Sequence, residues 1–196
     1  MVTQAIAFVL NALFSLFILA ALVRFWMQAF GAPARNPIAQ FTMALSDFLV
    51  KPLRRVIPGV FRLDMASLVA ALILELVLQV LLVFVAGANP FQNAAALPVL
   101  LFLAFVQLVR LSVYVFMGAV IIQAILSWVN PYHPVAPFFQ ALTKPFLKPF
   151  QRAVPLIGGV DITPVLVLIV FQLILMLPVA FLEQEASRML VRALTG

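Results

Sequence analysis

The sequence predicts an all-α, polytopic membrane protein with four transmembrane helices, arranged as two parallel two-helix repeats with amphipathic interfacial segments. Three observations lead there. Of 196 residues, 66% are apolar and 9% charged, against roughly a quarter charged in a typical soluble protein. A chain of this size cannot bury two thirds of its residues and still offer water a polar surface, and a mean hydropathy of +1.21 agrees. Next, four apolar runs are long enough to cross a hydrocarbon layer about 30 Å thick, which takes about 20 helical residues. Finally, the chain repeats itself: Lys51 falls on Lys148 and the flanking residues follow in register.

In chain order, the first run covers residues 3–30, with Arg24 its only charge and Trp26 placed as an interfacial aromatic. No Lys or Arg precedes it and it exceeds a usual signal core, so it reads as a span and not a cleaved leader. Asn36-Pro37 then opens a short amphipathic helix, the asparagine capping and the proline taking the first helical position. Its apolar side carries Ile38, Phe41, Leu45 and Phe48 and its other side Gln40, Ser46 and Asp47, with Lys51-Pro52 ending it. Residues 65–87 form the second span, with Glu75 its one charge, and residues 97–129 the third, unusually long and containing Arg110. His133-Pro134 opens another amphipathic segment (Val135, Phe138, Leu142) that Lys148-Pro149 ends, before an uncharged fourth span over residues 162–182 and a short amphipathic tail.

The two long loops hold Arg35, Lys51, Arg54, Arg55, Arg62, Lys144, Lys148 and Arg152, whereas the other side offers Arg188 and Arg192, offset by Glu183 and Glu185. The positive-inside rule therefore places both loops in the cytoplasm and both termini in the periplasm of a bacterial inner membrane. The repeats are 1–87 and 88–196. Pro37 meets Pro134, Phe41 meets Phe138 and Leu45 meets Leu142, and Lys51, Pro52, Arg55, Pro58 and Asp64 fall on Lys148, Pro149, Arg152, Pro155 and Asp161 without a gap. Trp26 pairs with Trp128 if the first copy carries an insertion around Gly31 to Arg35. Each copy holds an even number of spans, so the two are parallel, unlike the inverted halves of many transporters.

The stretch Lys148, Pro149, Arg152, Pro155, Leu156, Ile157, Gly158, Gly159, Val160, Asp161, Ile162, Thr163, Pro164 resembles the signature of the YggT family, related to the YlmG proteins of Gram-positive bacteria and plastids. In the first repeat the signature is degraded, with Phe61 and Arg62 at the glycine positions and Ser67 for Pro164. The resemblance implies an envelope protein linked to cell division, membrane or nucleoid organisation and osmotic tolerance, with no established catalytic activity. Some plastid relatives are associated with haem attachment, but this chain has no residue set to hold haem.

Zero cysteines and one histidine leave no cysteine nucleophile, disulfide or conventional metal set, and no enzyme or cofactor is expected. Three groups of residues carry the functional reading. Lys144, Lys148 and Arg152 alternate with Phe146 and Phe150, a pattern in which rings enter the headgroup boundary while cations meet anionic lipid; the charges otherwise serve topology alone, or nucleic acid. Asp64 and Asp161 precede spans and read as helix caps, with Gly158-Gly159 turning the chain into the second cap. Glu75 and Gln79, with Gln107, Arg110 and Tyr114, form intramembrane polar stripes, and Gln172 stands at the repeat position of Glu75. Three readings stand for Glu75 and Arg110: an ion pair, a snorkelling arginine beside a protonated glutamate, or a transport or relay site. Ala66, Ser67, Ala70 and Ala71 make a small-residue face for packing within or between chains, and His133 reads as a helix-entry residue. The combined expectation is a non-catalytic organiser acting through basic cytoplasmic loops on anionic lipid and a membrane or division-associated protein. The alternative is a small channel or transporter component centred on Glu75, Gln79 and Arg110.

Overall fold

The computed structural model describes residues 1–59, 63–154 and 161–195. Its helices are α1 (Val2–Ala29), α2 (Pro37–Arg54), α3 (Met65–Val85), α4 (Ala96–Val129), α5 (Ala136–Ala153), α6 (Thr163–Ile174) and α7 (Ala180–Thr195), the last two joined by a π-helical turn at Leu175–Val179. Four helices are long and apolar enough to cross a membrane: Val2–Ala29, Met65–Val85, Ala96–Val129 and Thr163–Leu194. The fourth therefore outruns the expected 162–182 and takes in the amphipathic tail as its continuation. Pro178 cannot donate to the preceding turn, and the π turn around it widens the helix without ending it.

In the first half, α1 packs along α3 and both carry α2. Ala66, Ser67, Ala70 and Ala71 are all buried, and the cluster that Ala66, Ala70 and Ala71 form with Ile18 and Ala21 brings the two backbones close, as the small-residue face requires. In the second half, α4 runs 34 residues, about 51 Å at 1.5 Å per residue, and its Val106, Val113, Phe116 and Val120 meet Val167, Phe171, Leu175 and Val179. Gly31 and Gly87 end α1 and α3 at φ of 65° and 86°, where a side chain would be strained.

The short helices depart from expectation in two ways. Asn36 does cap α2, its Oδ1 accepting from the Ala39 amide at 3.0 Å. But the small and hydroxyl side of α2 packs on the protein: Ala39, Thr42, Ser46 and Val50 are buried, while Phe41 and Phe48 stay 62% and 59% exposed. Small and hydroxyl residues fit the close helix junction, and the rings are left for the hydrocarbon side. Nor do the prolines break the helices, since α2 continues through Pro52 and α5 through Pro145 and Pro149. These prolines sit on exposed faces, so each removes one hydrogen bond but keeps the buried side in contact.

The halves meet at an aromatic centre. Phe116 lies 4.9 Å from Trp26, 5.8 Å from Phe30, 4.6 Å from Phe146 and 6.2 Å from Phe171 between ring centroids. The Trp26 indole N–H donates to Ser112 Oγ at 3.0 Å. Trp26 is thus an internal tie between the halves, whereas Trp128 is 69% exposed. Trp26→Ala is expected to destabilise the detergent-solubilised protein by about 3 kcal/mol and Trp128→Ala by under about 0.5 kcal/mol, measured by denaturant unfolding; equal losses would contradict the internal placement.

Candidate functional site

Arg24 ends up 4% exposed near the end of α1, where an unpaired guanidinium would be costly. Its Nη1 donates to Ser46 Oγ at 3.0 Å and Asp47 Oδ1 at 2.7 Å, and its Nε stands 3.6 Å from Asp64 Oδ2. Asp64 also takes Arg54 Nε at 3.1 Å, a second bond from Arg54 Nη2, and the Ser67 hydroxyl at 2.5 Å. Lys51 Nζ, 2.7 Å from Asp47, completes the cluster. Asp64 makes no side-chain cap bond to α3, contrary to expectation, because charge-assisted bonds to two arginines outcompete neutral amides. It joins α1, α2 and α3 instead.

Burial pushes the Asp64 carboxyl up, but hydrogen bonds from Arg54 and Ser67 and the charges of Arg54 and Arg24 hold it below the ordinary value. Hydrogen bonds from Lys51 and Arg24 hold Asp47 low as well. In the sequence Arg24 is only the single charge of the first run; the signal for its pairing is that Asp47 and Asp64 are the acids of an otherwise basic loop.

The second repeat keeps the frame and changes the charges. Lys144 stands where Asp47 does, Gln151 where Arg54 does, and Asp161 where Asp64 does. Thr143 Oγ1 donates to the Phe139 carbonyl at 2.8 Å, as Ser46 Oγ donates to that of Thr42 at 2.8 Å. Gln151 Nε2 donates to Asp161 at 2.9 Å in place of the Arg54–Asp64 pair. Asp161 accepts from the Thr163 amide at 2.9 Å and hydroxyl at 2.6 Å, a local turn one residue ahead of the N-cap position, which Ile162 takes without a side-chain bond. Burial raises its pKa, while the Thr163 hydroxyl and amide and Gln151 outweigh burial and lower it.

Lys144, Lys148 and Arg152 are spaced four apart on α5 and with Phe30, Ala141, Pro145 and Pro149 line an open cleft of 380 Å³. Among the described residues, none of the three cations lies within 4.0 Å of a carboxylate. Phe146 and Phe150 do not share this face. Phe146 packs 5.9 Å from Phe30 and 5.1 Å from Phe171, and Phe150 is half-buried against the same core. A two-residue step turns a helix by about 200°, so alternating rings and cations part to opposite sides: the rings anchor α5 to the protein and the cations alone face outward.

In the first repeat, Pro52, Arg55 and Pro58 are exposed beside Lys51. Arg62, Pro155, Gly158 and Gly159 lie outside the described residues, as do Phe61 and residues 156, 157 and 160. His133 is exposed at the entrance to α5, its Nδ1 accepting from the Val135 amide at 3.4 Å.

The intramembrane polar residues do not form the Glu75–Arg110 ion pair, one of the three readings. Glu75 accepts from Gln79 at 2.8 Å, while Arg110 Nη1 reaches both Glu183 oxygens at 2.7 and 2.9 Å and lies 5.8 Å over the Tyr114 ring. Gln107 also donates to Glu183, at 3.0 Å. The uninterrupted last helix brings Glu183 back beside α4, which a span ending at residue 182 hides. Gln172 is exposed and lines none of this.

Both cluster carboxylates are lowered in the folded state, so their stabilisation is present above the ordinary aspartate value of 3.8 and is lost as pH falls through their folded values. Asp64→Asn should cost about 3 kcal/mol at neutral pH by leaving Arg24 under-compensated. The gap from the native chain should narrow when unfolding is followed below pH 4; a pH-independent gap would deny the carboxylate its charge-pairing role.

The CCB3/YggT family model matches residues 3–85 and again 102–182, one match per repeat. The chain is 36% identical over 175 residues to an uncharacterized protein of Pseudomonas aeruginosa, covering 88% of this chain and 87% of the relative. It is 34% identical over 168 residues to an uncharacterized protein in the proC 3' region of Vibrio alginolyticus, covering 85% and 89%. It is 28% identical over 192 residues to the uncharacterized protein YggT of Escherichia coli K12, covering 97% of each. No solved structure matches the chain. With two family matches falling on the two helical halves, the protein belongs to the CCB3/YggT family.

Proposed function

We propose that the protein is a non-catalytic organiser of the bacterial inner membrane, serving envelope, division or osmotic-tolerance machinery, and that the outward face of α5 is its contact surface for anionic lipid headgroups. One observation carries this reading: the first repeat neutralises its buried basic group with Asp47 and Asp64, whereas the second presents Lys144, Lys148 and Arg152 around a cleft with no acid among its described lining residues. Each such cation near an anionic surface contributes about 1 kcal/mol, less once salt screens it. The aromatic anchoring of Phe146 supports a rigid presentation of the three charges, so attraction is electrostatic and not by ring insertion. Protein partners reach the same face from the cytoplasm.

The native chain has no cysteine, which makes single-cysteine labelling unambiguous. Lys51→Cys and Lys148→Cys should react with a membrane-impermeant reagent only in inverted vesicles, and Gln92→Cys only in whole spheroplasts. The reverse pattern would overturn the cytoplasmic assignment of the loops.

The lipid reading is tested on the full chain. Wild type purified in neutral detergent should retain anionic lipid over zwitterionic lipid at low salt, and replacing Lys144, Lys148 and Arg152 together by Gln should abolish that preference. Lys51→Gln should retain it, because Lys51 is engaged by Asp47. Equal lipid retention by wild type and the triple variant would remove lipid from the reading and leave protein partners as its basis.

A further inference from the structure

Where α1, α3 and α4 converge, the spanning helices leave a cleft of 410 Å³ lined in part by Asn11, Ser15, Glu75, Gln79 and Gln107. Polar side chains from three apolar helices do not gather by chance in a chain with 9% charged residues, since each is unfavourable against hydrocarbon unless it meets a partner. Bonds within the protein engage one donor of each amide. Asn11 Nδ2 donates to the Ala7 carbonyl at 2.8 Å, Gln79 Nε2 to Glu75 Oε1 at 2.8 Å, and Gln107 Nε2 to Glu183 Oε1 at 3.0 Å. Arg110, the one cation lining the cleft, is held by both oxygens of Glu183.

On the acceptor side more is left open. Glu75 Oε2, the amide oxygens of Asn11, Gln79 and Gln107, and the Ser15 hydroxyl oxygen accept no hydrogen bond from the described residues. Glu75 is 7% exposed and has no cationic neighbour within 4.0 Å among the described residues. With Arg110 and Glu183 cancelling, the cleft carries one uncompensated carboxylate among neutral oxygens. That is the ligand set for a hard ion of single positive charge, whose hydration shell neutral oxygens can replace in part. A divalent ion would be left half-neutralised, and an anion would meet the Glu75 charge with the lining cation, Arg110, already paired to Glu183.

We propose that this cleft binds a monovalent inorganic cation, with Glu75 as its counter-charge and the amide oxygens of Asn11, Gln79 and Gln107 as neutral ligands. The site shares no residue with the basic face of α5, so it stands or falls independently of the lipid reading.

The test uses the full chain in neutral detergent. Binding of radiolabelled sodium and rubidium is measured by equilibrium dialysis. The thermal midpoint is compared in sodium, potassium and N-methylglucamine chlorides at equal ionic strength. Expected are saturable binding of at least one of the two ions and a midpoint about 3 °C higher in its salt, or in the potassium salt for rubidium, than in N-methylglucamine. Glu75→Gln should keep the N-methylglucamine midpoint and weaken binding at least tenfold. Asn11→Leu, on the exposed side of α1, should weaken it severalfold and serves in place of Glu75→Gln should that variant not fold. Identical midpoints in the three salts without saturable binding would overturn the assignment, as would wild-type affinity in Glu75→Gln or, where that variant does not fold, in Asn11→Leu.

Discussion

The buried guanidinium of Arg24 sets the arrangement of the first repeat. A cation at 4% exposure is tolerable only where anions and hydroxyls surround it, and this chain has few acids to supply. Asp47 comes from α2 and Asp64 from the start of α3. Satisfying both at once fixes α2 against the α1–α3 pair with its small and hydroxyl stripe inward. The outward display of Phe41 and Phe48 follows from that orientation. So does the tight Ala66–Ala70–Ala71 contact, which needs α3 to begin where Asp64 can reach Arg24 and Arg54 together.

Duplication freed the second repeat from this constraint. At the position paired with Arg24 the Trp26–Trp128 alignment puts Leu126, and with no buried cation to compensate, an acid at the Asp47 position is no longer required. Lys144 stands there. The backbone frame survives in neutral form through Gln151–Asp161 and the Thr143 hydroxyl. One copy thus engages Arg24, Lys51 and Arg54 with acids in helix assembly, while the other holds its helices by an aromatic and aliphatic core and leaves Lys144, Lys148 and Arg152 outside.

The membrane helices, their number and the duplication are legible in the sequence because they rest on long-range averages: apolar length and a shift that aligns many residues at once. The direction in which a short helix faces is not, because α2 presents two plausible faces and the choice depends on a buried arginine on another helix. The same limit explains Phe146 and Phe150. Their alternation with Lys144, Lys148 and Arg152 is visible, but helical geometry sends rings and cations to opposite sides, and only the core decides which side is covered. Glu183 escaped for a different reason. Pro178 and the following charges look like a helix end, and the π turn that carries the helix past them has no sequence signature of its own.

The two outward-open polar features lie on either side of one aromatic layer. Phe30 lines the basic cleft and stacks on Trp26 at 5.4 Å. Trp26 bonds Ser112, and Arg110, Leu111 and Tyr114 beside that serine line the polar cleft. Dense packing of this kind allows little independent movement of its parts. The tilt of α1 relative to α4 therefore bears on both clefts: a change that pulls Phe30 from Phe116 must also move Ser112's neighbours. Together with the contact of α3 on α4 and the cluster in which Met27 and Ala39 meet Ala119, Phe138, Phe139 and Leu142, Trp26 helps turn two adjacent helical repeats into one body.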